Sequence, residues 1–194
     1  HLLTDIIKGI LEAGVTFVPH TTIGKKTTVN DLFAQGFESI FLGMGSGIDQ
    51  PLGIPGEKLP GVYFATDFLV RTNVEKKNLS ARQRISPEVG DRVVVIGGGD
   101  PATDCARTAI RLGARKVTCL YRYTAHEIPG RGHDRQWAEE EGVEFRFLTL
   151  PQRLTAGEKG HVTGVDCVHV EIGEPDSEGA RHPHPVEGTE FHIR

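Results

Sequence analysis

The stretch Asp91-Arg-Val-Val-Val-Ile-Gly-Gly-Gly-Asp-Pro-Ala-Thr-Asp-Cys-Ala-Arg107 decides the fold class of this chain. Its apolar residues 92–96 predict a buried strand, and the residues from Pro101 onward predict a helix. The turn between them carries the small residues of the pattern G-x-G-x-x-A, typical of dinucleotide-binding turns: Gly97, Gly98, Gly99 and Ala102. An ordinary strand–helix turn is the alternative interpretation.

Each residue type in this turn has a physical reason. Gly97 permits the tight turn, Gly99 lets the backbone approach a pyrophosphate, and Ala102 lets helix and strand pack closely. Free N–H groups at the positive end of the helix dipole would then face the phosphates. We predict that Asp100 is the N-cap of the helix and that Pro101 is its first residue.

The residues that follow complete a β-α-β unit. Gly113 is placed to end the helix, and residues 116–121 predict a second strand. The connection between two parallel strands should be right-handed. This context is the one that the glycine pattern requires, so we predict a Rossmann-like α/β domain with a parallel sheet flanked by helices.

The end of the second strand favours NADP over NAD. An NAD-binding domain places Asp or Glu about 20 residues beyond the glycines, where it holds the ribose hydroxyls. This chain has Arg122 and Tyr123 there, and its next carboxylate is Glu127. An arginine can clamp a 2′-phosphate and a tyrosine can stack on adenine. The alternative is a solvated arginine at a strand end.

The composition is that of a globular chain with a core. The 194 residues are 38% hydrophobic and 25% charged, and the net charge is −4. One or two domains fit this length. The charge offers no basic surface for nucleic acid, and no apolar stretch approaches the roughly 18–20 residues that span a membrane. There is no recognisable signal peptide.

Cysteine and histidine spacing does not predict a metal site. The three cysteines, Cys105, Cys119 and Cys167, lie far apart and form no C-x-x-C pair. We expect Cys105 and Cys119 to be small buried thiols, which fits a reducing, cytoplasmic location. His182 and His184 lie in a proline-rich stretch that we expect to be a loop without a metal.

The chain before the glycine turn is predicted to contain short helices and short strands. The predicted elements are helices over 2–11 and 66–71, a capping box at Thr28–Asp31, and strands over 15–18 and 37–42. The second strand leads into Gly43-Met-Gly-Ser-Gly47, which lacks the helix that a phosphate-binding turn needs. We expect a tight passage of backbone against a ligand or a domain there. Polar residues 71–87 predict a linker.

Several motifs then occur in one order along nearly the whole chain: Phe41-Leu-Gly-Met-Gly45, Leu52-Gly-Ile-Pro-Gly-Glu57, Ala65-Thr-Asp-Phe-Leu69, Val93-Val-Val-Ile-Gly-Gly-Gly99, Asp104-Cys-Ala-Arg107, Leu120-Tyr-Arg122, Glu127-Ile-Pro129 and Glu140-Glu-Gly-Val-Glu-Phe145. Together they closely resemble the small subunit of NADPH-dependent glutamate synthase. Related modules are the flavin domains of dihydropyrimidine dehydrogenase and of ferredoxin–NADP reductases with the same fold.

The resemblance implies an NADPH domain inserted into an FAD domain, with iron–sulfur clusters held outside this chain. Electrons would pass from NADPH to FAD and then to the clusters. Residues 1–85 would be a partial FAD-binding domain and linker, and residues 86–194 the NADPH-binding domain. Within the latter, an excursion from Val162 to Ile193 would pair strands 162–172 and 190–193.

The resemblance also implies what the chain needs for turnover. Gly43, Met44 and Gly45 would form one wall of the FAD pocket, whereas the FAD pyrophosphate turn and the return strand are expected outside residues 1–194. We therefore expect this chain alone to be inactive. Its partners would be NADPH, the rest of the flavoprotein, and a large glutamate synthase subunit or another electron acceptor.

Three residues depart from the family pattern. Asp100 and Pro101 replace an Asn–Thr pair, and Tyr123 replaces a second arginine. A carboxylate near the diphosphate, a lost N–H donor and a lost guanidinium should all weaken nucleotide binding. Waters, with Arg107 or Arg131, are candidates to compensate.

Other functions stay open at this point. A stand-alone NADP-dependent dehydrogenase would need a catalytic Tyr–Lys or His–Asp pattern, which we do not find. A nucleotide-sensing or structural module with a degenerate site is the alternative from a different class. No side chain is assigned a catalytic role, because helix capping or surface exposure explains Asp104, His126 and Glu127.

Overall fold

The computed structural model describes residues 2–45, 48–128 and 132–194. The chain divides into two compact units, residues 1–45 and 46–194. None of the helices within the described residues has both the length and the apolar character needed to cross a membrane. The domain boundary at residues 85 and 86 stays a prediction, because compactness alone does not assign a ligand to either part.

The first unit contains helices α1 (Leu2–Glu12) and α2 (Val29–Ala34). The predicted capping box begins α2: the Thr28 hydroxyl accepts from the Asp31 N–H at 3.1 Å, and the Asp31 carboxylate accepts from the Thr28 N–H at 2.8 Å. The bond from the Thr28 N–H, and next a bond that the Thr28 hydroxyl donates to the same carboxylate at 2.8 Å, lower the pKa of Asp31. The aspartate therefore performs the role usually taken by glutamate.

The two strands predicted in this unit do not form. Residues 15–18 and 37–42 have no regular secondary structure. Their residues have the apolar character of strands, but a strand needs a neighbour to complete its hydrogen-bond ladder. No strand of the described residues pairs with either stretch, and Phe41 is 95% exposed.

In the second unit, the predicted β-α-β pattern is confirmed and extended by one strand. Its elements are β1 (Arg92–Ile96), α4 (Asp100–Arg111), β2 (Lys116–Leu120), α5 (Gly132–Glu140) and β3 (Val143–Arg146). The three strands are parallel and lie in the order β1-β2-β3. Gly113 follows α4 at φ +103°, as expected of a helix-ending glycine.

The chain continues into antiparallel strands, the predicted excursion. They are β4 (Thr149–Ala156), β5 (Val162–Ile172), β6 (Pro183–Pro185) and β7 (Phe191–Ile193), and β5 pairs with each of the others. The pairing of β5 with β7 was predicted. The loop predicted around His184 is wrong, because the residues form edge strand β6.

The hydrogen bonds of β6 explain how two prolines fit a strand. The His182 carbonyl accepts from Gly173, and Val186 donates to the His169 carbonyl, both at 2.9 Å. The ladder therefore uses residues on either side of the prolines. Pro183 and Pro185 lie at the alternate positions, where no N–H is needed.

Apolar residues cover both faces of the parallel sheet. One face packs against small residues of α4 and α5, and this cluster comprises Ala102, Ala106, Ala109, Ala114, Val117, Cys119, Ala138 and Val143. The other face packs against the antiparallel strands through Val94, Ile96, Leu120, Leu154, Val165, Cys167, Phe191 and Ile193. The sheet is thereby held rigidly at the centre of this unit.

The predicted linker folds back on the helix before it. Helix α3 (Ala65–Asn73) carries Arg71, whose guanidinium donates to the Ile85 carbonyl at 2.6 and 2.9 Å and to Asp67 at 2.9 Å. A 3-10 turn over Lys76–Asn78 follows, and Leu79 is buried. The segment is therefore an ordered part of the second unit.

Candidate nucleotide-binding site

The first position of the turn after β1 has a backbone conformation that favours glycine. Gly97 has φ +143°, and its N–H donates to the Leu120 carbonyl at 3.0 Å. A Cβ at residue 97 would lie 3.2 Å from the Cβ of Ala102. Gly97 and Ala102 thus allow strand and helix to approach, as the pattern predicts.

Gly98 is buried under an aromatic ring. A Cβ at this position would overlap the ring carbons of Tyr121. The Tyr121 hydroxyl donates to the Glu127 carbonyl at 2.9 Å, which holds the ring in place. Sequence reasoning missed Tyr121; the available signal was an aromatic residue directly after β2, at the same edge of the sheet as the glycines.

Helix α4 begins one residue earlier than predicted. Gly99 is its N-cap, and the Gly99 carbonyl accepts from the N–H groups of Ala102 at 2.9 Å and Thr103 at 3.2 Å. The prediction that Asp100 is the N-cap is wrong: Asp100 is the first helical residue, and Pro101 follows it. Because Gly99 has no side chain, the start of α4 has no side-chain cap. Pro101 has no N–H, so the N–H groups of Gly99 and Asp100 are the ones left without an intrahelical acceptor.

The two residues after β2 form a stacked pair. The Arg122 guanidinium lies over the Tyr123 ring at 5.4 Å from its centroid, and the side chain of Arg122 is exposed. The Tyr123 ring lies 5.6 Å from that of Tyr121. Tyr123 therefore supports the guanidinium, while its predicted stacking on adenine stays a prediction.

The first carboxylate after β2 is held by its own turn. Glu127 accepts from the Thr124 N–H at 2.9 Å and from the Thr124 hydroxyl at 3.0 Å. The backbone bond, and next the hydroxyl bond, lower the pKa of Glu127. This carboxylate caps a 3-10 turn over Ala125–Glu127, so local geometry explains its presence without a ribose.

The Arg107 guanidinium is hydrogen-bonded to Glu141. Its Nε and Nη2 donate to Glu141 at 2.8 and 2.6 Å, and Arg111 donates to the same carboxylate at 2.7 Å. These bonds, that of Arg107 first, lower the pKa of Glu141. The Arg107 guanidinium also lies over Trp137. Of the two predicted compensating arginines, Arg107 is occupied, and Arg131 lies outside the described residues.

The predicted flavin-contacting residues belong to the first compact unit. Gly43, Met44 and Gly45 have no regular secondary structure, Gly45 has φ +66°, and Met44 is 76% exposed. Ser46 and Gly47 lie outside the described residues. The assignment of this passage to an FAD pocket stays a prediction.

The described residues contain no group of three or more His, Cys, Asp or Glu side chains placed to hold a metal ion. His182 instead contacts Asp176 at 2.8 Å. The cysteines at 105, 119 and 167 are free and buried. Cys119 donates to the Gly97 carbonyl at 3.2 Å, which ties the centre of β2 to the glycine turn.

The sequence of this chain matches a family model and several known proteins. The family model described as pyridine nucleotide-disulphide oxidoreductase matches residues 3–182. The NADPH-Fe(3+) oxidoreductase subunit beta of Geobacter sulfurreducens is 39% identical over 98% of this chain. The glutamate synthase [NADPH] small chain of Escherichia coli is 39% identical over 91% of it. The resemblance to glutamate synthase small subunits is confirmed.

The chain is much shorter than these relatives. It spans 27% of the first and 38% of the second. Among solved structures, FprA from Mycobacterium tuberculosis in complex with NADPH superposes with a TM-score of 0.71 at 18% identity, over 97% of this chain and 55% of FprA. At this identity the likeness shows the fold alone, and it confirms the predicted α/β class.

Proposed function

Because the chain belongs to the pyridine nucleotide-disulphide oxidoreductase family, we propose that it is the NADP(H)-binding part of a flavin-dependent oxidoreductase. The main support for this proposal is the glycine turn. Gly98 lies under Tyr121, and the turn leads into the start of α4, which has no side-chain cap. Exposed Arg122 stands at the end of the neighbouring strand. A dinucleotide needs these features at the carboxyl edge of a parallel sheet.

In this proposal the protein positions its cofactor and balances charge. The N–H groups of Gly99 and Asp100, at the start of α4, would bind the pyrophosphate, and Arg122 would bind the 2′-phosphate from its support on Tyr123. When bound, nicotinamide and flavin supply the hydride and electron transfer. No described side chain needs to act as a general base.

The remainder of the electron path lies with partners. In the complete protein, FAD would be held in part by Gly43, Met44 and Gly45, and iron–sulfur clusters outside this chain would take single electrons. A large glutamate synthase subunit or another acceptor would receive them. This extension rests on the relatives of which the chain spans only a part.

We also place the protein in a reducing, cytoplasmic compartment. The three described cysteines are free, and burial raises the pKa of the Cys105 and Cys119 thiols to about 12. Protonated, buried thiols are inert structural groups. Free thiols of this kind are typical of reducing environments.

A degenerate nucleotide-binding or structural module is the second candidate, and Asp100 favours it. Its exposed carboxylate stands in the first turn of α4, where it opposes a diphosphate. Titration of residues 1–194 with NADPH and NADH separates the two functions. We expect saturable NADPH binding, weaker NADH binding, and no NADPH-dependent dye reduction by this chain alone. Absence of NADPH binding would instead support the degenerate module.

A further inference from the structure

The guanidinium of Arg135, in α5, lies against the loop that carries Arg122. Its Nη1 donates to the Ala125 carbonyl at 3.4 Å, three residues beyond Arg122. Its central carbon lies over the Phe147 ring at 5.9 Å. Arg135 therefore joins the loop after β2 to the residue that follows β3.

These two segments run side by side at the carboxyl edge of the parallel sheet. Leu148 donates to the Tyr123 carbonyl at 3.1 Å, and Thr149 donates to the Tyr121 carbonyl at 3.0 Å. Phe147 therefore directly precedes Leu148, the residue bonded to Tyr123. The Arg122 guanidinium lies over the ring of that same tyrosine. Arg122 and Arg135 stand at the same end of the sheet, which is the end of the glycine turn.

The hydrogen bonds of Arg135 are incomplete. Its Nε is buried and has no hydrogen-bond partner among the described residues. Glu139 forms an i,i+4 ion pair with Arg135, but its Oε1 lies 3.7 Å from Nε, too far for a hydrogen bond. A desolvated N–H of a charged group without an acceptor costs free energy, and a negative charge beside the guanidinium would offset part of that cost.

Arg122 alone does not balance the charge of a 2′-phosphate. A phosphate monoester carries a charge of about −1.5 to −2 at neutral pH, whereas Arg122 supplies one positive charge. Arg107 and Arg111 are both bound to Glu141 and do not supply the second. Arg135 donates a side-chain hydrogen bond to the loop that carries Arg122.

We infer that Arg135 is a second cation of the 2′-phosphate subsite and sets the preference for phosphorylated over unphosphorylated ribose. This inference rests on the proposed function. Arg122 binds the phosphate from the strand end, and Arg135 binds it from α5. Glu139 is then the competing partner of Arg135 before the nucleotide arrives.

Calorimetry on residues 1–194 with 2′,5′-ADP and 5′-AMP at low salt tests this inference. We expect Arg135→Met to weaken binding of 2′,5′-ADP by about tenfold, the effect of one lost charge-assisted bond, and to leave 5′-AMP unchanged. Methionine keeps an apolar contact for Phe147. Glu139→Gln should tighten binding of 2′,5′-ADP, because it removes the competing carboxylate.

Arg115→Met is the matched control. Arg115 is 82% exposed, contacts Asp91 at 3.5 Å, and precedes the amino end of β2, away from the nucleotide edge. This variant should bind both probes as the parent chain does. Thermal unfolding of each variant checks its fold, and Arg135→Lys, which keeps the charge but loses the fork, should bind 2′,5′-ADP with intermediate affinity.

The outcomes separate the inference from the function on which it rests. If the parent chain prefers 2′,5′-ADP and Arg135→Met retains that preference, the role of Arg135 is refuted and the proposed function stands. If the parent chain binds both probes equally, the 2′-phosphate subsite is refuted. If it binds neither, the inference and the proposed function fall together.

Discussion

Gly98 and Tyr121 are in such close contact that a Cβ on the glycine would overlap the aromatic ring. The ring cannot easily move away, because the Tyr121 hydroxyl is bonded to the Glu127 carbonyl at 2.9 Å. The middle glycine of the turn is therefore required by a residue that lies 23 positions later in the chain. This contact links the turn to the loop that carries Arg122.

Gly98→Ala should destabilise the protein and weaken nucleotide binding. Overpacking of this kind costs about 1–3 kcal/mol, and any shift of Tyr121 would displace the loop after β2. Urea unfolding and NADPH titration measure the two effects. Gly90→Ala is the control, because its Cβ would meet nothing closer than 4.0 Å. Equal stability of both variants would contradict the tight contact.

Arg122→Ala should weaken NADPH binding by at least about tenfold, corresponding to roughly 1.5–3 kcal/mol for a lost charge-assisted contact. NADH lacks the 2′-phosphate, so its affinity should hardly change. Parallel titrations with both nucleotides make the comparison, with Arg115→Ala as the control. Equal losses for NADPH and NADH would exclude the assignment to the 2′-phosphate.

Asp100→Asn should separate stability from binding. An acidic residue in the first turn of a helix contributes about 0.3–1 kcal/mol through the dipole, so the variant should be slightly less stable. Removing the carboxylate should tighten nucleotide binding, most clearly at low salt, where screening is weakest. Calorimetry at two salt concentrations measures this, and unchanged or weaker binding would show that Asp100 does not oppose the pyrophosphate.

Glu141→Gln should reduce stability at neutral pH but not in acid. Hydrogen bonds from Arg107 and then Arg111 hold the pKa of Glu141 below its ordinary 4.5. A lowered folded pKa stabilises the protein above 4.5, and this contribution is lost as the pH falls through the folded value.

Urea unfolding from pH 7 down to about pH 3 follows this loss. The curves of the parent chain and the Gln variant should converge as the pH falls. A constant difference between them would contradict the linkage.

Amide hydrogen exchange should be faster in residues 2–45 than in β1 and β2. None of residues 3–45 is buried, whereas Val117 and Cys119 at the centre of β2 are fully buried. Exchange requires opening, which costs least where few apolar contacts are broken. Exchange mass spectrometry on residues 1–194 resolves the two regions, and similar protection in both would be the opposing result.

Much of the second unit could be predicted because its signals are local. Strand β1, helix α4 and strand β2 follow from hydrophobic periodicity and from the backbone freedom of glycine, which Gly97 and Gly113 use at positive φ. The capping box of Thr28 and Asp31 is likewise a contact over three residues. Such preferences act within one or two turns of chain, so the sequence alone carries them.

The tertiary structure decided whatever depends on a distant partner. Residues 15–18 and 37–42 look like strands, yet no ladder forms without a neighbouring strand. Edge strand β6 forms around its prolines because β5 is present beside it.

The fate of individual site residues was also decided by distant contacts. The pairing of Arg107 with Glu141 and the approach of Arg135 to Ala125 join residues from different elements. A local pattern contains neither contact, because each depends on how α4, α5 and the loop after β2 pack on the sheet. The sequence by itself therefore determined the glycine turn, and the packing of helices on the sheet determined which arginines stand beside it.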